Sequence, residues 1–110
     1  MNASATASSA AVRECTVEAI ATLHREAARS ADTHLSHAAF AGLPGIDFYF
    51  KDEASHPTGS LKHRLARSLF LYAPCNGRLP PGQPVVDASS GSTAISEAWF
   101  ARLLGLCSPR

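Results

Sequence analysis

The stretch His56-Pro57-Thr58-Gly59-Ser60-Leu61-Lys62-His63-Arg64 carries most of the information about this chain. Its first four residues are typical of a turn, and the leucine spacing that follows predicts a helix over residues 60–73. That helix begins with three basic side chains, Lys62, His63 and Arg64. Positive charge at a helix start opposes the helix dipole, by about 0.3–1 kcal/mol per group. A local rule broken in this way indicates a functional site.

The basic turn has two interpretations. Free backbone N–H groups at a helix start bind phosphate and other anions. Positive charge from Arg64 also disfavours the ammonium form of Lys62, and the neutral amine is the form that attacks an aldehyde. The alternative is a solvated basic patch in which Lys62 lies in water. The residues by themselves leave both interpretations open.

A second candidate site is Asp87-Ala88-Ser89-Ser90-Gly91-Ser92-Thr93. Residues 85–88 are expected to form a short buried strand, and a third helix follows the serines. Backbone N–H groups and hydroxyls at such a junction can bind a carboxylate or phosphate. In parallel sheets, ligands collect at this end of the strands. The alternative is an ordinary serine cap on a helix.

The remaining segments predict a mixed architecture. Residues 1–15 read as a disordered tail, residues 16–30 as a helix capped by Thr16, and residues 46–53 as a strand. The strand's buried face would carry Ile46, Phe48 and Phe50. Alternating strands and helices indicate the α/β class with a parallel or mostly parallel sheet. The core stripe of the second helix is expected to be Leu61, Leu65, Leu69 and Tyr72.

Composition sets outer limits on function. The chain has 110 residues and a formal net charge of +1, which gives no support to nucleic acid or membrane as a partner. It contains no apolar run long enough for a membrane span. The odd number of cysteines predicts free thiols in a reducing cytoplasm, and no histidine pattern predicts a metal site. The cysteines are Cys15, Cys75 and Cys107.

Residues 51–64 resemble the lysine motif of fold-type II pyridoxal-phosphate enzymes, which is approximately K-x-E-x-x-N-P-T-G-S-x-K-D-R. This family includes cysteine synthase, cystathionine β-synthase, threonine dehydratase and the tryptophan synthase β chain. The order also agrees, since Ser90-Gly91-Ser92-Thr93 follows where the family carries S-G-N-T. Within this family, the residues of the motif look most like those of bacterial cysteine synthase-like proteins that include L-cysteine desulfhydrases. The implied fold is a three-layer, parallel-sheet domain of the tryptophan synthase β-like type, of which residues 16–110 would be an incomplete, N-terminal portion.

The resemblance also implies roles for individual residues. Lys62 would carry pyridoxal 5'-phosphate as a Schiff base and later move the substrate's α-proton. Ser92 stands where the family has an asparagine that contacts the cofactor. His56 and His63 replace the family's asparagine and aspartate, which indicates a divergent branch. The residues implied to bind the substrate carboxylate are Ser89, Ser90, Gly91 and Thr93.

The implied activity is β-elimination or β-replacement on an amino acid such as cysteine or O-acetylserine, in a family whose full-length members form homodimers. The seven glycines are isolated, so no glycine-rich phosphate loop is present, and we expect the short chain to have little or no activity alone. An alternative is a non-catalytic fragment that pairs with a full-length relative. A weaker alternative is phosphate or nucleic-acid binding through Lys62, His63, Arg64 and Arg67.

Overall fold

A computed structural model of the chain describes residues 9–78 and 84–105. The described elements mix helices with a small sheet, as expected for part of an α/β domain, so the predicted class is confirmed. None of the described helices combines the length and apolar character that a membrane span requires. In chain order the elements are α1 (Ser9–Ser30), β1 (Leu35–Ala38), β2 (Phe48–Lys51), a short 3₁₀ turn (Glu53–Ser55), α2 (Lys62–Cys75) and α3 (Ser92–Leu103).

The sheet differs from the parallel one that the sequence predicts. Strands β1 and β2 pair antiparallel, with Leu35 opposite Lys51 and Ala38 opposite Phe48. A loop without a helix joins them, and parallel neighbours would need a longer crossover. Residues 85–88 form no strand, and Val86 is exposed. Within the described ranges no other strand lies beside this segment to bond with its backbone.

The first helix begins earlier than expected. It starts at Ser9 rather than Thr16, so the predicted tail is incorrect for residues 9–15. This segment contains good helix formers such as alanine, arginine and glutamate. Thr16 does not cap the helix, because its hydroxyl donates to the carbonyl of Val12 inside it, at 2.9 Å. Residues 1–8 lie outside the described part of the chain.

Helix α2 buries a different face from the one predicted. The leucine stripe is exposed: Leu61, Leu65, Leu69 and Tyr72 retain 58%, 43%, 42% and 60% of their accessible surface. The buried face instead carries His63, Ala66 and Phe70. Helices α1 and α3 both pack against α2 and cover that face. The buried apolar core consists of Leu23, Ala66, Phe70 and Phe100.

Two further predicted positions also face outward. Ile46 lies outside β2 and is exposed, and Phe50 is exposed as well, while Phe48 is partly buried. A strand with one buried face therefore does not form, because the described two-stranded sheet has no layer packed on it. The core that positions the candidate site is helical.

Candidate functional site

Lys62 is the first residue of α2 and follows a tight turn. Gly59 sits at φ +78°, a backbone conformation that glycine adopts without strain, and its N–H donates to the carbonyl of His56 at 2.8 Å. The Ser60 hydroxyl accepts the backbone N–H of Lys62 at 3.3 Å. The Lys62 side chain is partly buried. Among the described residues nothing forms a hydrogen bond or ion pair with its amine.

The two ends of the lysine motif are joined by an ion pair. Arg64 donates through Nε to Glu53 Oε2 at 2.7 Å and through Nη2 to Oε1 at 3.1 Å. Thr33 donates to the same carboxylate at 2.8 Å. Hydrogen bonds from Arg64, followed by those from Thr33 and His56, outweigh burial and lower the pKa of Glu53 to about 2. The charge of Arg64 is therefore committed to a structural contact.

His63 points into the core rather than toward solvent. Its ring is fully buried, Nε2 lies 2.7 Å from Glu26 Oε1 on α1, and Nδ1 lies 3.0 Å from the Thr58 hydroxyl. Burial lowers the pKa of His63, although the hydrogen bond to Glu26 opposes this shift. The three predicted basic side chains do lie at the start of α2, but they do not form a solvated patch: only Lys62 lacks an acidic partner among them in the described part of the chain.

Glu26 is a buried charge that holds α1 against α2. Burial alone would raise the pKa of its carboxyl, but hydrogen bonds from Arg67, His63 and Ser30 outweigh that cost and hold the pKa at about 2. Arg67 contacts both carboxylate oxygens. Glu26 is not among the residues that the sequence predicts for the site. Its signal was present, because Glu26 lies three positions after Leu23 and so shares the buried face of α1.

The two histidines that depart from the family motif stack on each other. The ring centroids of His56 and His63 are 5.0 Å apart and the planes differ by 21°. His56 Nε2 lies 2.6 Å from Glu53 Oε2. Within the described residues, His56 Nδ1 is the one buried side-chain nitrogen or oxygen without a hydrogen-bond partner. Both substitutions therefore occupy one place in the fold.

The serine-rich loop forms the start of α3. The Ser89 hydroxyl accepts the backbone N–H groups of Gly91 at 3.1 Å and Ala94 at 2.9 Å, which is a capping arrangement. Gly91 has φ +136°, in the region that favours glycine. The hydroxyls of Ser90, Ser92 and Thr93 form no hydrogen bond with any described residue. They remain available to an external anion.

A hydrogen bond connects the lysine turn to α3. Thr58, four positions before Lys62, lies 2.8 Å from the hydroxyl of Ser96, four positions after Ser92. A groove of about 610 Å³ lies beside this contact. Lys62 and the serine loop do not line it. Its walls are His56, Pro57, Thr58, Gly59, Ile95, Ala98, Trp99 and Arg102.

Comparison with known proteins identifies the relatives of this chain. The chain is 57% identical over 98 residues to L-cysteine desulfhydrase Cds1 of Mycobacterium tuberculosis, a match that covers 86% of this chain and 27% of that protein. It is 38% identical over 61 residues to cysteine synthase B of Escherichia coli, covering 56% of this chain and 20% of the relative. The O-acetylserine dependent cystathionine beta-synthase of Bacillus subtilis is 39% identical over 62 residues, with coverage of 56% and 20%. No solved structure matches.

The chain therefore spans about a quarter of the length of the mycobacterial protein. The profile of the family described as "Pyridoxal-phosphate dependent enzyme" matches residues 29–108, which contain the lysine turn, helix α2 and the serine-rich loop. That match extends over more than half of the chain, and it agrees with the cysteine-metabolising relatives. The chain belongs to the family of pyridoxal-phosphate-dependent enzymes.

Proposed function

We propose that Lys62 carries pyridoxal 5'-phosphate covalently and that this chain forms the lysine-bearing part of an enzyme that acts on a β-substituted amino acid. The observation that carries the proposal is the contrast between the two lysines. Lys51 donates its amine to the carbonyl of Thr33 at 3.0 Å. Among the described residues, the amine of Lys62 has no such partner, so it is the lysine available for reaction.

The residues present fit the reactive part of such a cofactor. A primary amine begins one helix, and a loop with uncommitted hydroxyls begins the helix packed beside it. When bound, pyridoxal phosphate supplies an electron sink for the bond cleaved at the substrate's α-carbon. In the proposal, the uncommitted hydroxyls of Ser90 and Thr93, on either side of Gly91, bind the substrate carboxylate. Ser92 donates a hydrogen bond to the cofactor.

Lys62 has a second role in the proposal. With the cofactor bound, the amine of Lys62 would be the base that accepts the substrate's α-proton. The turn between His56 and Lys62 fixes the backbone position of Lys62, because Thr58 and His63 connect the two sides of the turn to the helical core. The ion pair of Arg64 with Glu53 keeps that guanidinium from competing for the substrate carboxylate.

Cysteine is the proposed substrate, on the strength of the 57% identity to an L-cysteine desulfhydrase. Elimination would convert cysteine and water to pyruvate, ammonia and hydrogen sulfide. Replacement on O-acetylserine is the alternative, supported by the synthase relatives. We further propose a cytoplasmic location, consistent with the free thiols of Cys15 and Cys75, and little turnover by the 110-residue chain alone.

Competition between two lysines tests the cofactor assignment. The purified chain is incubated with pyridoxal phosphate, treated with borohydride and digested, and the added mass is located by mass spectrometry. We expect the label on Lys62 in clear excess over Lys51, and its loss in Lys62→Ala but not in the matched control Lys51→Ala. Equal labelling of the two lysines, or unchanged total labelling of Lys62→Ala, would contradict the proposal.

A second candidate function is a non-catalytic fragment that pairs with a full-length relative. The observation that favours it is the exposed apolar face of α2, formed by Leu61, Leu65, Leu69 and Tyr72. Co-expression with the tagged mycobacterial desulfhydrase tests this idea. Co-purification that Leu65→Ser and Leu69→Ser together abolish would support it. Absence of a complex at micromolar concentration would count against it.

A further inference from the structure

Four side chains from four segments form a continuous series of hydrogen bonds through His63. Glu26 on α1 lies 2.7 Å from His63 Nε2. Thr58 in the turn lies 3.0 Å from His63 Nδ1 and 2.8 Å from Ser96 on α3. Glu26, His63 and Ser96 each expose 1% or less of their accessible surface. We call these four residues the Glu26–Ser96 relay.

The protonation states of Glu26 and His63 fix which group donates and which accepts in each hydrogen bond of the relay. The carboxylate of Glu26, with its pKa at about 2, can only accept, so His63 Nε2 carries a proton and donates to it. Burial keeps His63 neutral, which leaves Nδ1 as an acceptor. Thr58 must therefore donate to Nδ1, and its oxygen accepts the hydroxyl proton of Ser96. Each buried group in the series is satisfied in this arrangement.

Two residues of the relay anchor the turn before Lys62, one on each side of it. Thr58 precedes Gly59, and His63 directly follows Lys62, so two anchored side chains bracket the segment 59–62. Gly59 sits at φ +78°, and because glycine adopts more backbone conformations than other residues, anchors on both sides hold this segment in one of them. We propose that His63 is a positioning residue for Lys62, and that Glu26 is the reason position 63 requires a hydrogen-bond donor. The link to catalysis rests on the proposed function, but the relay itself does not.

Electrostatics explains why aspartate, the residue in the family motif, does not suit position 63 of this chain. A carboxylate there would face Glu26 in a buried site, and like charges at that distance cannot both ionise without a large cost. Arg67 is the cation that contacts Glu26, and it already engages both of its oxygens. His63 also faces the Ser30 hydroxyl, which lies 3.5 Å from Nε2, and the stacked ring of His56. The rings of Trp99 and Phe100 contact it as well, with centroids 5.0 and 4.8 Å away.

A double-mutant cycle tests the charge requirement without the cofactor. The variants are His63→Asp, Glu26→Gln and the pair together, compared by thermal unfolding followed by circular dichroism. We expect His63→Asp to lower the melting midpoint by at least about 5 °C, and Glu26→Gln in the same chain to recover part of that loss. The recovery is expected because the introduced glutamine can donate to the introduced aspartate, and Arg67 then has a new acidic partner.

The control is His24→Asp, which makes the same change at an exposed position of α1 and should show no recovery with Glu26→Gln. Additive losses in the double variant would overturn the relay as the reason for histidine at position 63. If His63→Asp does not fold, the double variant decides: a folded double variant supports the proposal, and an unfolded one overturns it.

Lysine reactivity tests the positioning role separately. Trace acetylation with acetic anhydride gives the labelling ratio of Lys62 to Lys51, first in the native chain and then in urea. His63→Asp should move the native ratio toward the urea value, and the double variant should restore it. An unchanged ratio in a folded His63→Asp chain would overturn the positioning role. Since no cofactor is present, this outcome is independent of whether Lys62 binds pyridoxal phosphate.

Discussion

The buried face of α2 is partly polar, whereas its exposed face is apolar. The buried face includes an imidazole and lies beside Arg67, with Ala66 and Phe70 supplying its apolar part. The exposed face carries three leucines and a tyrosine. Burial in this structure is therefore not decided by the hydrophobicity of α2 alone.

The helices that pack against α2 account for this difference between its faces. Helix α1 presents Glu26, and a buried carboxylate requires donors around it, which His63 and Arg67 provide. No described element packs on the leucine face in the same way. The match to the mycobacterial relative covers 27% of that protein.

Removal of Glu26, the carboxylate that contacts the buried face of α2, should have the largest effect on stability. Glu26→Ala removes the carboxylate partner of both Arg67 and His63, and we expect a loss of about 3–5 kcal/mol in the free energy of unfolding. Urea unfolding measures it. The control Glu18→Ala removes an exposed ion pair with Arg25 and should change stability by less than about 0.5 kcal/mol. Similar losses for both variants would contradict the central role of Glu26.

Acid should weaken the same face progressively. The native pKa of His63 lies below its ordinary 6.5 and that of Glu26 lies near 2 rather than 4.5, so the unfolded chain binds more protons than the native one in acid. Stability should therefore fall as pH drops below about 6.5, and fall further below about 4.5. Urea midpoints from about pH 8 to about pH 3 measure it. A flat profile between the ordinary pKa values of histidine and glutamate would contradict a buried neutral His63.

The leucine face should tolerate substitution best. Leu69 is 42% exposed and its neighbour Phe70 is 3% exposed, so the pair compares the two faces directly. We expect Leu69→Ala to cost less than about 1 kcal/mol and Phe70→Ala about 3–5 kcal/mol, because only the second opens a cavity in the core. Thermal unfolding of both variants measures the contrast. Equal costs would show that the leucine face is covered in solution.

Local patterns predicted the starts of α2 and α3 and the place of Lys62 well. The turn at Gly59, helix α2 and the serine cap of α3 follow from glycine, proline, serine and leucine positions that act over a few residues. The antiparallel partner strand Leu35–Ala38 was missed, because its residues alternate too briefly to mark a strand. The strand predicted at residues 85–88 failed for a related reason, since a strand also needs a neighbour to bond with.

The amino-acid sequence determined the family, the position of Lys62 at a helix start and the loop of hydroxyls that follows, because these depend on motif spacing and local turn chemistry. Tertiary contacts determine which of the basic groups have acidic partners among the described residues. His63 and Arg64 resemble Lys62 on the printed sequence, yet Glu26 and Glu53 hold them from distant positions. Long-range contacts of this kind, a hydrogen bond for His63 and an ion pair for Arg64, leave no local pattern, so the fold distinguishes Lys62 from its neighbours.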